Sequence, residues 1–218
     1  MKAHHEHEFE ASLGLPENLP RNEFIIWQGH PDWKQLAVDA FHLRKILIYF
    51  ALMIAFQLVH LLDNSTPTLD LLKQIGTSVF LASVALGLLA CSAHLSSKAT
   101  MYTLTNRRIV MRIGIVLSLT FNLPLKKIVS SDLLLFKNQT GNIALGISTS
   151  SPVGWLNLWP HVRAWRINDP QPTLRCVPQA EQVAQRVLQA WRKECPNEQL
   201  MALGNDQSHG NPQSLVQA

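Results

Sequence analysis

Two guanidinium side chains follow an asparagine at Asn106-Arg107-Arg108, between the β-rich runs "TMYTLT" and "RIVMRI". Asparagine tolerates the left-handed geometry of tight turns, and paired guanidiniums can fork onto phosphate oxygens. With Arg112 four residues on, these residues are the candidate contact for anionic lipid headgroups; a turn whose charge serves only topology is the competing reading. A second candidate chemistry is ligation. His60 follows Gln57 by three residues inside an apolar run, where a neutral imidazole can hold a metal such as the magnesium of a chlorophyll-type pigment, or can instead reach the membrane interface. His4, His5 and His7 are read as a solvated histidine-rich start, so no cofactor and no metal site is expected.

Catalysis finds little support. The chain has no Gly-x-Ser-x-Gly, His-Glu-x-x-His, Cys-x-x-Cys or glycine-rich phosphate loop, and residues 98–193 carry only Asp132, Asp169 and Glu181 as carboxylates. An enzyme is not expected.

The elements that would position these groups come from charge patterning. Charged residues make up 16% of the chain, against about 25% in an ordinary soluble domain. Ile46–Leu62 and Ile75–Ala93 are free of charge. At 17 and 19 residues they make helices of roughly 26 and 28 Å, close to the ~30 Å hydrocarbon thickness. A hairpin of two spans is expected, with no signal peptide before it. His42, Arg44 and Lys45 precede the first span and Lys98, Arg107, Arg108 and Arg112 follow the second, which puts both termini in the cytoplasm and the protein in the inner membrane as a multi-pass protein. Cys91, Cys176 and Cys195 are then expected as free thiols.

Residues 94–193 hold 13 Lys and Arg against 3 Asp and Glu. Beside a membrane, anionic lipid is the nearer polyanion, so nucleic acid is the weakest partner class. In the second span Ser83, Gly87 and Cys91 recur every four residues, a smooth face for packing within the hairpin or against a foreign span. Trp27 and Trp33 flank Gly29, Pro31 and Asp32 in "WQGHPDW", where a turn-forming pair would present two rings to a partner. Trp155, Trp159 and Trp165 are core, interfacial or partner-anchor candidates.

After the second span the hydrophobic period falls to two over five short runs, and "PQAEQVAQRVLQAWRKE" restores a helical period through Ala180, Val183, Ala184, Val187, Leu188 and Trp191, with Pro178 near its start. Several strands and one capping helix follow the plan of a pleckstrin-homology (PH)-like domain. The fold class expected is α+β: a two-helix transmembrane hairpin followed by a PH-like antiparallel β-domain with a C-terminal capping helix. The boundaries are a flexible segment 1–23, a juxtamembrane segment 24–45, spans at 46–62 and 75–93 around a periplasmic loop 63–74, a cytoplasmic PH-like domain 98–193 and a disordered tail 194–218.

The strings "GLPENLP", "FIIWQGHPDW", "AFHLRKILIYF", "YTLTNRRIVMRIGI", "FNLPLKKI", "LWPHVRAW" and "PQPTLRCVP", in this order, resemble the PuhB family of photosynthetic complex assembly proteins of purple bacteria. The resemblance runs from about Leu13 to about Trp191. It implies a membrane-bound, non-catalytic assembly factor whose partners are reaction-centre and core-antenna membrane polypeptides. A PH-like membrane protein that senses anionic lipid without a photosynthetic client is the alternative, and homo-oligomerisation is left open.

Overall fold

A computed structural model describes residue 15, residues 17–63, 67–115, 117–148, 155–163 and 170–196, and the backbone of 201–205. His4, His5, His7 and Trp165 lie outside these residues. The chain divides into a helical unit, Trp33–Ser97, and a β-rich unit built from the sequence on either side of it.

The helical unit begins with α1 (Trp33–Asp39) and continues with α2 (Leu43–Asp63) and α3 (Thr68–Ala99). Both long helices carry an apolar stretch long enough to cross a bilayer. At 32 residues α3 is roughly 48 Å long, well beyond the ~30 Å apolar layer. Hardly any of either apolar stretch is buried within the chain. Phe56, Phe80 and Leu88 are exposed, an arrangement that water would penalise and hydrocarbon would not. The Ser78 hydroxyl reaches Gln57 Oε1 at 2.8 Å and the Gln74 carbonyl at 3.1 Å, tying α3 to α2.

The β-rich unit has two four-stranded sheets. The first runs in the order β1 (Ile25–Gly29), β2 (Met101–Thr105), β3 (Arg108–Ile113) and β4 (Leu119–Pro124), all antiparallel. A 3-10 turn, Leu125–Lys127, leads into the second sheet. Its strands are β5 (Ile128–Leu135), β6 (Gly141–Ile147), β7 (Thr173–Val177) and β8 (Met201–Asn205) in the order β7-β6-β5-β8; a short helix α4 (Trp155–Leu158) lies between β6 and β7. Strand β8 runs parallel to β5. The tail expected to be disordered from residue 194 therefore supplies a strand.

Tyr102, Leu104, Ile109 and Met111 from the first sheet and Ile143, Leu145 and Leu174 from the second close one core. Helix α5 (Ala180–Glu194) covers it through Ala180, Val183, Ala184, Val187, Ala190 and Trp191, and Trp191 Nε1 donates to the Ile128 carbonyl at 3.2 Å. The helical stripe is the expected one, except that Ala190 is buried where Leu188 is only partly so. Pro178 precedes the N-cap, Gln179, which takes the left-handed conformation.

Strand β1 corrects the expected boundaries. Gly29 pairs with Tyr102 and Gln28 with Thr103, so residues 25–29 are a sheet strand and not part of a juxtamembrane segment. The β-domain does not begin at residue 98. It begins before the helices, and α1–α3 are an insertion between its first two strands.

Candidate functional site

The β2–β3 turn serves the fold more than its charge suggests. Asn106 accepts the Phe24 amide at 3.0 Å through Oδ1 and donates Nδ2 to the Asn22 carbonyl at 3.0 Å. The left-handed residue is Asn22, with φ of 70°, and not Asn106. Thr105 Oγ1 accepts both the Arg107 and the Arg108 amides, which closes the turn. Arg108 Nε donates to Glu23 Oε1 at 2.8 Å. Asn106 and Arg108 are thus engaged within the chain, while Arg107 is exposed.

The Arg107 carbonyl accepts the Leu125 amide at 2.9 Å, which brings Lys126 and Lys127 to the same corner. The last turn of α5, with Arg192 and Lys193, arrives there through a 3.4 Å contact between Lys126 Nζ and Glu194 Oε1. Five exposed cations from three elements form a basic corner. Its sequence signal is "LKK" after Pro124 and "WRKE" at a helix end, two short runs that no spacing ties to Arg107. Arg112 is not part of it. Its register partner is Met101, at the other end of β2 and β3, roughly 13 Å from Arg108 along the strand.

The tryptophans separate. Trp27 packs against the main core, and its ring lies across Gly29, where an added Cβ would come within 2.5 Å of Trp27 Cζ2. Gly29 ends a strand and leaves room for that ring; it does not make the expected turn. Pro31 is buried, the His30 imidazole Nδ1 lies 2.8 Å from the Thr100 carbonyl, and the Asp32 amide donates to the Cys176 carbonyl at 2.8 Å. Trp33 opens α1, 41% exposed, edge-on to the His94 ring at 5.4 Å. Trp155 packs on Ile113, Leu158 and Val162, whereas Trp159 is exposed.

A buried polar group escaped the sequence reading. The His161 Nδ1 lies 2.6 Å from the Tyr102 hydroxyl and its Nε2 3.0 Å from Thr100 Oγ1, and the Tyr102 oxygen accepts the Arg175 amide at 3.1 Å. All are satisfied when Tyr102 donates to Nδ1 and the Nε2–H donates to Thr100. Burial first, and then the Arg175 guanidinium, lower the His161 pKa to about 3, so the ring is neutral. Burial pushes the Tyr102 hydroxyl up.

In α3, Ser83 turns its hydroxyl back to the Val79 carbonyl at 2.8 Å, Gly87 has nothing within 4 Å of where a Cβ would stand, and Cys91 is exposed. The hairpin leaves this small-residue ladder uncovered. His60 is exposed near the end of α2. Cys91, Cys176 and Cys195 are free thiols.

The Bacterial PH domain family matches residues 48–191, from within α2 to Trp191 on α5. The chain belongs to this family. The bacterial PH domain match takes in most of the helical insertion and most of the two-sheet body. A 23.7 kDa protein of Rhodobacter capsulatus, named for its place in the 5′ region of puhA, is 33% identical over 199 residues, covering 91% of this chain and 93% of that protein. No solved structure matches the chain at a significant level.

Proposed function

We propose that this bacterial PH domain protein is a membrane-anchored, non-catalytic scaffold that assists assembly of the photosynthetic reaction centre with its core antenna. One observation carries the mechanism: α2 and α3, inserted between paired strands of the β-domain, expose nearly all of their apolar surface and the Ser83–Gly87–Cys91 ladder. Lipid and client spans are the surfaces that match it, since small residues let helix backbones approach closely. The relative named for the 5′ region of puhA, together with the resemblance of the seven strings to the PuhB family, supports this client. The cations flanking the two apolar helices support a β-domain on the cytoplasmic side. A tethered domain there raises the effective concentration for a second contact with a client's cytoplasmic ends.

Deletion of the protein should lower the accumulation of reaction centre with its core antenna while pigment synthesis and client transcripts stay near normal. Normal complex levels and assembly rates in the deletion strain would sink this reading. The basic corner of Arg107, Lys126, Lys127, Arg192 and Lys193 favours a second reading, sensing of anionic lipid without a photosynthetic client.

A further inference from the structure

The β3–β4 turn is apolar where a soluble domain would be polar. Ile115 is 49% exposed, Leu117 81% and Leu119 44%. Gly114 adopts φ of 117°, and a Cβ there would collide with the Leu117 carbonyl, so the turn is shaped by a residue that only glycine suits. Around it, no acidic residue occurs from Arg108 to Lys126.

Strand register fixes where this turn lies. Gly29 pairs with Tyr102, Tyr102 with Met111 and Met111 with Phe121, while Met101 pairs with Arg112 and Arg112 with Thr120. Ile113 and Leu119, the next pair outward, therefore stand level with Thr100, and the turn projects beyond them. At this same end β1 runs out toward α1 and β2 comes in from α3. Trp159, 45% exposed, belongs to this end too, because His161 bonds to Thr100 and Leu158 packs on Ile113. The basic turn at Arg107 is at the opposite end, roughly 17 Å away along β2.

We propose that Ile115, Leu117, Leu119 and Trp159 form an interfacial lipid-contact site that seats the β-domain in the headgroup and acyl boundary. The inference rests on the membrane reading of α2 and α3. Apolar and aromatic side chains with cations close by in the chain, here Arg112 one residue before Ile113 on β3, are the composition that such a boundary takes up. Lipid is the occupant because β2 enters the sheet at this end directly after α3 in the chain, so the tether of an apolar helix starts at the strand level from which the turn projects.

The full chain, reconstituted in vesicles of mixed zwitterionic and anionic lipid, tests this with nitroxide labels at Leu117→Cys, Arg107→Cys and Leu88→Cys, each in a Cys91→Ser background. Leu117 should be more accessible to dissolved oxygen than to an aqueous nickel reagent, as Leu88 should be, while Arg107 shows the reverse; Ile115→Cys repeats the measurement independently. A lipid signature at Leu88 with an aqueous one at Leu117 overturns this site and leaves the membrane reading standing. An aqueous signature at Leu88 overturns both. Protection of Leu117 from both reagents means a protein covers it, and overturns the lipid assignment.

Discussion

Glu23 and Arg108 make a nearly buried ion pair across the opening of the first sheet, with Arg108 Nε 2.8 Å from a carboxylate that is 3% exposed. Thr105 donates to the same oxygen at 2.8 Å. The arginine that looked available for phosphate is thereby committed to holding the segment before β1 onto the β2–β3 turn.

Arg108→Met leaves the Glu23 carboxylate buried without its cation and should destabilise the β-domain by about 3 kcal/mol. Arg107→Met should change stability by no more than about 0.5 kcal/mol. Denaturant unfolding of the detergent-solubilised full chain, followed through tryptophan fluorescence, compares the two; equal losses would refute the division of labour between adjacent arginines.

His161 predicts a pH dependence. Its pKa is about 3 in the folded chain, against about 6.5 when unfolded. The unfolded state therefore binds a proton that the native state refuses. The stabilisation is complete above about pH 6.5 and is lost as pH falls toward 3, with a slope approaching about 1.4 kcal/mol per pH unit. His161→Gln keeps polar partners for Thr100 and Tyr102 and should flatten that slope; an unchanged slope would assign it to other groups.

Gly29 and Trp27 should be coupled. Gly29→Ala forces the Trp27 ring off its seat and should cost about 1–3 kcal/mol. In a Trp27→Ala background the same change should be close to neutral. Additive losses in the double-mutant cycle would show that the ring does not need the glycine.

On the membrane reading of α2 and α3, pairing of β1 with β2 requires residues 25–29 and 101–105 to share one side of the bilayer. Reporter fusions after Asp70 should behave as periplasmic and fusions after Lys98 as cytoplasmic, as the flanking cations dictate. Opposite behaviour of fusions at Gly29 and at Lys98 would contradict the strand pairing itself.

Elements with a local period were legible in the sequence. The charge-free runs lie within α2 and α3, and the spacing from Ala180 to Trp191 marks α5 together with its buried face. What escaped depends on contacts between distant residues. Strand β1 is five residues long and its partner lies more than seventy residues on, so nothing local distinguishes it from a juxtamembrane stretch. Strand β2 was legible as the run "TMYTLT", but its burial on both faces, Thr103 and Thr105 included, depends on the neighbours it meets in the fold. Glu23 and His161 owe their roles to partners 85 and 59 residues away, and the Arg107 corner gathers three elements that no spacing connects.

The insertion of α1–α3 between β1 and β2 gives the chain a built-in order of events. During synthesis β1 emerges first and has no neighbour until the whole helical hairpin and β2 have followed. Its edge stays open throughout. If one helix failed to cross, the two strands would be stranded on opposite sides of the bilayer and the sheet could not close. On the membrane reading, completion of the first sheet therefore excludes a chain in which only one helix has crossed, and such a chain displays an unpaired strand beside a half-made core.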